Sequence, residues 1–302
     1  MSDDIPFDRR FDLPPGQVEE VAPGIRRILC NNPSPFTFKG TVSYIVGKGR
    51  VAIIDPGPLD EGHTAALLDA VRGETVTHII VTHTHRDHSP AAAQIKAATG
   101  AKTYGEGPHR AAHSLVQLPP RSNGDTDFRP DVVVKDGDAI EGDGWGLTAI
   151  TTPGHCANHL AFALHDTDIL FSGDHVMAWS TPIVAPPDGS MRDYMTSLDK
   201  LLHRPEKIYF PGHGGAVREG PRLVAQYIRH RHAREAAILK LLAAGETDIP
   251  SLVRDIYVGL DPRLIAAAGR AVLAHLDDLV ERGRVATAGA PAIDGRYRLA
   301  VG

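Results

Sequence analysis

Four side chains of types that bind metal ions stand within six residues of this 302-residue chain: His83, His85, Asp87 and His88. They follow a short apolar run that is typical of a strand. Side chains alternate along an extended backbone, so His83 and His85 lie on the same side and can reach one ion. Asp87 and His88 follow as the chain turns into a helix and can face a second position. Burying four such groups without partners is energetically costly, so the pattern predicts a metal site.

Three later segments each supply one more candidate ligand, after a predicted strand and a small or turn-forming residue. They are Pro153-Gly154-His155, Ser172-Gly173-Asp174 and Pro211-Gly212-His213. Loops at one edge of a sheet can aim such side chains inward. The full set contains five histidines and two aspartates, enough for two divalent ions per chain. Imidazole and carboxylate donors without thiolate favour zinc and leave manganese or iron open.

Other residues near these segments have two interpretations each. His159 follows His155 by four positions and lies either near the metal site or in a structural hydrogen bond. His175, next to Asp174, is expected to be neighbouring structure rather than a ligand, and Cys156, beside His155, is expected to be a small core residue rather than a further metal donor. Phe36 and Phe38 stand on a proline-rich loop that either overhangs the cleft or packs on its own domain.

The elements that must position these residues are short strands with helices between them. Helices are predicted at residues 60–73 and 89–99. Strands are predicted at residues 24–30, 41–46, 51–54, 78–82, 132–134, 147–151, 160–164, 169–171 and 207–210. Sheets covered by helices in this way predict a layered α/β domain.

After Gly220 the pattern changes. Residues 222–244, 249–256 and 272–280 have apolar positions at helical spacing, and two β-rich runs follow at 284–287 and 296–300. Three helices and a hairpin are the order of a winged helix. We therefore expect a catalytic domain over residues 1–219 and a winged-helix domain over residues 220–302.

Composition and charge limit the partners. With 42% hydrophobic and 23% charged residues the chain can fill a globular core. Its apolar runs fall far short of the ~20 residues that span a bilayer, and its first residues do not resemble a secretory signal. Two cysteines provide no disulfide framework, which fits a reducing compartment. We expect a cytoplasmic protein without a membrane partner, and its oligomeric state stays open.

The net charge of −5 is unevenly distributed. Residues 1–220 carry a net charge of −8 and residues 221–302 a net charge of +3. An acidic body does not attract polyanions. The arginines and histidines between Arg222 and Arg234 are expected to form a solvated helix face, and a docking surface for an anionic substrate is the alternative.

The order His-x-His-x-Asp-His, followed by the later His, Asp and His, resembles the metallo-β-lactamase superfamily, and the C-terminal run resembles the winged-helix extension of β-lactamase-like protein 2 relatives. The resemblance implies an αββα sandwich. It also implies a first metal site at His83, His85 and His155, a second at Asp87, His88 and His213, and Asp174 bridging both. Asp55 matches the buried aspartate that orients a ligand histidine, and His159 is a second outer-shell candidate. Asp87 and Asp174 are the candidate catalytic carboxylates.

The resemblance further implies a zinc hydrolase in which a metal-bridging hydroxide attacks the carbonyl of a small-molecule ester, thioester or lactone. The main alternative is a metal-dependent endoribonuclease that cleaves single-stranded RNA. Acidic residues Asp277, Asp278 and Glu281 in the third C-terminal helix would repel phosphates. The complete ligand set disfavours a non-catalytic regulator. Zinc β-lactamases lack an aspartate in the role of Asp174, and glyoxalase-type thioesterases have a helical tail.

Overall fold

The first of two large β-sheets has seven strands. A computed structural model describes residues 5–116 and 123–300 of the chain. The strands follow sequence order: β1 Val18–Ala22, β2 Ile25–Leu29, β3 Val42–Val46, β4 Arg50–Ile54, β5 Thr75–Ile80, β6 Lys102–Gly105 and β7 Val132–Val133. Neighbours are antiparallel from β1 to β4 and parallel from β4 to β7. Helices α1, Glu61–Ala70, and α2, Ala92–Thr99, connect the parallel strands β4, β5 and β6.

The second sheet has five strands in the order β12-β11-β10-β9-β8. Their bounds are β8 Ala139–Glu141, β9 Gly146–Thr151, β10 Leu160–Leu164, β11 Ile169–Gly173 and β12 Ile208–Pro211. Strands β11 and β12 are parallel, and helix α3, Met191–Leu202, connects them. The other neighbours are antiparallel.

The two sheets pack face to face and are covered by helices on their outer sides. On β3, Tyr44 faces the second sheet and its neighbour Ile45 faces α1 and α2, because successive side chains of a strand point to opposite faces. Helices α3 and α4, Gly220–Ala243, cover the outer side of the second sheet through Tyr194 and Val224. The layers confirm the expected αββα sandwich.

The C-terminal residues form a small core of their own. Helices α5, Ile249–Ile256, and α6, Ile265–Glu281, pack on a three-stranded sheet of β13 Thr247–Asp248, β14 Val285–Thr287 and β15 Arg296–Leu299. This order confirms the predicted winged helix. Helix α4 joins the two parts, because Val224 packs with α3 while Ile238 belongs to the small core. The boundary between residues 219 and 220 stays a prediction.

Helix α3 is absent from the predicted elements, although its sequence carries a usable signal. Met191, Tyr194 and Leu198 recur at helical spacing and are buried, and the Ser190 side chain caps the helix by accepting the Asp193 N–H. The helix lies against the segment that carries His155. Gly154 has a φ of 142°, and a Cβ there would lie 2.3 Å from Tyr194 Cα, so only glycine permits this approach.

Among the described residues, no helix is long and apolar enough to cross a membrane.

A buried histidine makes the stability of the C-terminal part depend on pH. His275 on α6 is 3% exposed, and burial, reinforced by Arg231 and other cationic neighbours, lowers its pKa to about 3. Below pH 6.5 the unfolded chain therefore takes up a proton that the folded chain does not, and the free energy of unfolding falls. We expect His275→Gln to lose about 2 kcal/mol less than the wild type between pH 7 and pH 5.

Urea unfolding of the metal-free protein at the two pH values measures this difference. His232→Gln, at an exposed histidine of α4, is the control. Equal pH dependence of His275→Gln and the wild type would show that His275 is not responsible.

Candidate metal centre

Three histidines from two loops form the first cluster. His83 and His85 follow β5, and His155 follows β9. His85 Nδ1 lies 3.0 Å from His83 Nε2 and 2.9 Å from His155 Nε2. Nitrogens that share a tetrahedral zinc-sized ion at ~2.0–2.1 Å lie about 3.3 Å apart, so this spacing suits a common ion. The three nitrogens converge as a candidate metal-binding group.

The second cluster consists of Asp87, His88 and His213. Asp87 and His88 close the turn before α2, and His213 follows β12. Asp87 Oδ2 lies 3.2 Å from His213 Nε2 and 3.5 Å from His88 Nε2. His88 and His213 are buried, whereas the Asp87 side chain is 27% exposed. One face of this cluster is therefore open to solvent.

Asp174, which follows β11, lies between the two clusters. Its Oδ2 is 3.6 Å from His155 Nε2 and 3.2 Å from His213 Nε2, and its Oδ1 is 3.5 Å from His88 Nε2. The structure therefore brings together all seven residues that the sequence singled out as ligands, and one carboxylate contacts both groups.

The charges at the centre fit divalent cations. His88 Nε2 and Asp174 Oδ1 are buried and have no hydrogen-bond partner among the described residues. Burial opposes the charged form of His88, but Asp87, Asp174 and Asp55 prevail and hold its pKa well above the usual value. Burial likewise opposes the Asp174 carboxylate, yet His213 and His88 keep its pKa well below the usual value. Metal binding at Nε2 would displace the proton of His88, whereas Asp174 is already a carboxylate.

The first cluster is electrostatically mixed. Burial opposes the charged form of His85, but Cys156 and Asp188 prevail and raise its pKa to about 10. Burial lowers the pKa of His83 well below its usual value and that of His155 to about 4. Both imidazoles are then neutral, which is the form that binds a metal ion.

Asp55 lies directly behind His88, where the resemblance put it. Its Oδ2 accepts hydrogen bonds from His88 Nδ1 at 2.9 Å and from Thr82 Oγ1 at 2.8 Å, and its Oδ1 accepts the Thr82 N–H at 2.8 Å. The backbone of Asp55 has a φ of 50°, an uncommon conformation for an aspartate. The bond to Nδ1 leaves His88 Nε2 facing the cluster.

Backbone carbonyls hold two other histidines in the same way. His155 Nδ1 donates to Ile183 O at 2.6 Å, and His213 Nδ1 donates to Gly40 O at 3.1 Å. His159 lies behind the clusters: its Nδ1 bonds Thr152 Oγ1 at 2.8 Å, and its Nε2 accepts the Asp174 N–H at 3.1 Å. It supports the backbone of Asp174 and is not part of either group.

The other residues for which the sequence left two interpretations lie outside the clusters. His175 is buried against Tyr194, with ring centroids 4.5 Å apart. Cys156 is buried, and although burial opposes the thiolate, His85 and His109 lower its pKa to about 6. Of the loop aromatics, Phe36 is 49% exposed, while Phe38 stacks on Trp179 with ring centroids 4.9 Å apart.

Sequence reasoning missed Asp188 and His109. Asp188 Oδ2 lies 3.4 Å from His85 Nε2, and Asp188 Oδ1 lies 3.3 Å from His109 Nε2. Neither residue stands in a recognisable motif, and both are far from His85 in sequence, so no local signal could have identified them.

The packed sheets and the centre at their edge define a metal-dependent hydrolase. Residues 36–213 match the family described as the metallo-beta-lactamase superfamily, and the chain belongs to that superfamily. Residues 249–294 match the beta-lactamase associated winged helix domain. Members of this superfamily bind divalent metal ions, which agrees with the clusters of histidine and aspartate.

Individual relatives extend the comparison. The beta-lactamase-like protein 2 homolog of Caenorhabditis elegans is 30% identical over 233 residues, 76% of this chain and 74% of that protein. The atrochrysone carboxyl ACP thioesterase of Passalora fulva is 28% identical over 268 residues, 84% of this chain and 74% of that protein. A crystal structure of a beta-lactamase domain protein from Burkholderia ambifaria covers 96% of both chains at a TM-score of 0.76 and 23% identity, which shows the shared fold.

Asp55 gives a prediction for the second cluster. Asp55→Asn removes the charge that accepts the His88 Nδ1 proton, so His88 should bind a metal ion more weakly. We expect affinity at the second cluster to fall roughly 10- to 100-fold, measured by competition with a chromophoric chelator.

Asp60→Asn is the matched control, because Asp60 caps α1 and does not contact the clusters. Unchanged metal affinity in Asp55→Asn would contradict the role of Asp55.

Proposed function

We propose that this chain is a dinuclear zinc hydrolase that cleaves the thioester or a related ester bond of a small acyl compound. The observation that carries the proposal is the position of Asp174, whose Oδ2 lies within 3.6 Å of imidazole nitrogens from both clusters. A carboxylate between two groups of imidazole and carboxylate donors is an arrangement suited to hold two cations a few ångströms apart.

The residues divide into two ligand sets. His83, His85 and His155 would hold the first ion, Asp87, His88 and His213 would hold the second, and Asp174 would contact both. Nitrogen and oxygen donors favour zinc, with manganese or iron as alternatives. When bound, two such ions would activate water as a nucleophile at neutral pH and polarise the substrate oxygen.

The chain's own groups fix the geometry of the centre. Asp87 is its partly exposed carboxylate, so the second cluster is reached from the solvent side at this residue. Asp174 is buried, and its backbone N–H is fixed by His159, so it keeps its position between the clusters. The second-cluster histidine His88 is oriented from behind by Asp55.

Two observations favour an acyl compound over RNA. One is that the relative from Passalora fulva is named an atrochrysone carboxyl ACP thioesterase. The second is the contact between α6 and the catalytic part. Asp277 accepts hydrogen bonds from Ser114 Oγ at 2.8 Å and Leu115 N at 2.9 Å, and Asp278 pairs with Arg192 at 3.0 Å. These contacts hold the acidic face of α6 against the catalytic part, so this face is not free to serve as a nucleic-acid-reading surface.

The division into residues 1–219 and 220–302 is part of the proposal. Helix α4 begins at Gly220, after the first family match ends at residue 213 and before the second begins at residue 249. The small C-terminal domain would then wall one side of the catalytic domain.

The test is a parallel assay of zinc-loaded protein on acyl thioesters, acyl esters, lactones and single-stranded RNA. We expect hydrolysis of a thioester, and a loss of about 100-fold or more in Asp87→Ala, which lacks a second-cluster ligand. Asp143→Ala, at an exposed position of the turn before β9, should match the wild type. RNA cleavage that disappears in Asp87→Ala, with all acyl compounds intact, would contradict the proposal.

A further inference from the structure

A buried carboxylate lies beside the outer nitrogen of a first-cluster histidine. Asp188 belongs to the connecting loop, residues 174–190, which joins β11 to α3. It is 5% exposed, and its Oδ2 lies 3.4 Å from His85 Nε2. His85 presents its other nitrogen, Nδ1, to His83 and His155. A ligand that binds through Nδ1 carries its proton on Nε2, the atom that faces Asp188.

The outer nitrogen of His85 lacks a completed hydrogen bond. His85 Nε2 is buried and has no hydrogen-bond partner among the described residues, and Asp188 Oδ2 is the carboxylate oxygen beside it. Leaving a buried N–H unpaired is unfavourable, whereas a hydrogen bond between imidazole and carboxylate is among the stronger ones in proteins. Ligation through Nδ1 would direct the Nε2 proton toward Asp188 Oδ2.

Asp188 is itself held from a second side. Its Oδ1 lies 3.3 Å from His109 Nε2, and its Oδ2 accepts the Asn123 N–H at 3.3 Å. His109 Nδ1 in turn lies 2.9 Å from Thr84 Oγ1, and Thr84 stands between His83 and His85 in the chain. These contacts link Thr84 to His109, His109 to Asp188 and Asp188 to His85, so the series of contacts begins and ends in the same histidine segment.

The C-terminal helices fix the loop that carries Asp188. Arg231 on α4 donates to Pro182 O at 2.6 Å, and Arg270 on α6 donates to Pro186 O at 3.0 Å. The same connecting loop provides Ile183 O, the acceptor for His155 Nδ1. Two of the three first-cluster histidines therefore have their outer nitrogens against one loop that α4 and α6 anchor.

We propose that Asp188 is a positioning residue for the first metal site: it accepts the Nε2 proton of His85, and His109 and the anchored connecting loop hold it there. This inference rests on the proposed first metal site. In this way helices α4 and α6 help to position the ligands of the first metal site through the connecting loop, without contacting substrate themselves.

The test isolates the first cluster and uses cobalt(II) as the probe. Asp188→Ala and Asp188→Asn are made in an Asp87→Ala background, which lacks a ligand of the second cluster. Cobalt affinity is measured by chelator competition, and the visible absorption of bound cobalt reports the ligand geometry. Glu206→Ala in the same background is the matched control, because Glu206 is equally buried, at 5% exposure, and pairs with Arg204 rather than contacting the clusters or the connecting loop.

We expect Asp188→Ala to weaken cobalt binding roughly 10- to 100-fold and to change the absorption spectrum. Asp188→Asn should recover part of the affinity, because its amide oxygen can still accept the His85 proton. Circular dichroism of the metal-free variants checks the fold; if Asp188→Ala does not fold, the comparison of Asp188→Asn with the Asp87→Ala parent decides.

An Asp188 variant with the affinity and spectrum of the Glu206→Ala control would overturn the inference and leave the proposed function standing. Absence of cobalt binding in the Asp87→Ala parent itself would overturn the first metal site, and the inference with it.

Discussion

The rest of the structure depends on the charge balance around the carboxylate of Asp174. This carboxylate is 6% exposed and lies against imidazoles from both clusters. A buried group of this kind is stable only when opposite charge or hydrogen bonds compensate it. Strands β5, β9, β11 and β12 all end at the same edge of the sandwich, so their loops can deliver ligands to one point. Two cations at that point would balance the acidic charge and satisfy the orphaned nitrogen of His88.

Local pattern and spacing predicted much of this arrangement. The apolar strands and the spacing of His83, His85, Asp87 and His88 are local features, so they can be identified without the fold. The αββα layers and the winged helix are confirmed. Asp55 was identified by resemblance only, since nothing local distinguishes an aspartate that turns back toward His88. Helix α3 could have been found from the spacing of its apolar residues.

Other features depend on tertiary contacts that no local pattern reveals. Asp188 reaches His85 because the connecting loop crosses the centre and is fixed by Arg231 and Arg270 from the C-terminal helices. A carboxylate in an irregular loop has no periodicity to identify it. The role of the acidic face of α6 also depends on tertiary contacts. The sequence alone suggests that this face repels phosphates. In the structure, Asp277 instead forms hydrogen bonds with the catalytic part of the chain.

A centre with two metal ions is tested by anomalous X-ray diffraction from crystals of the zinc-loaded protein, recorded on both sides of the zinc absorption edge. We expect two anomalous peaks about 3.5 Å apart. One should lie among His83, His85 and His155, the other among Asp87, His88 and His213, with Asp174 contacting both. A single peak, or peaks away from these side chains, would contradict the dinuclear centre.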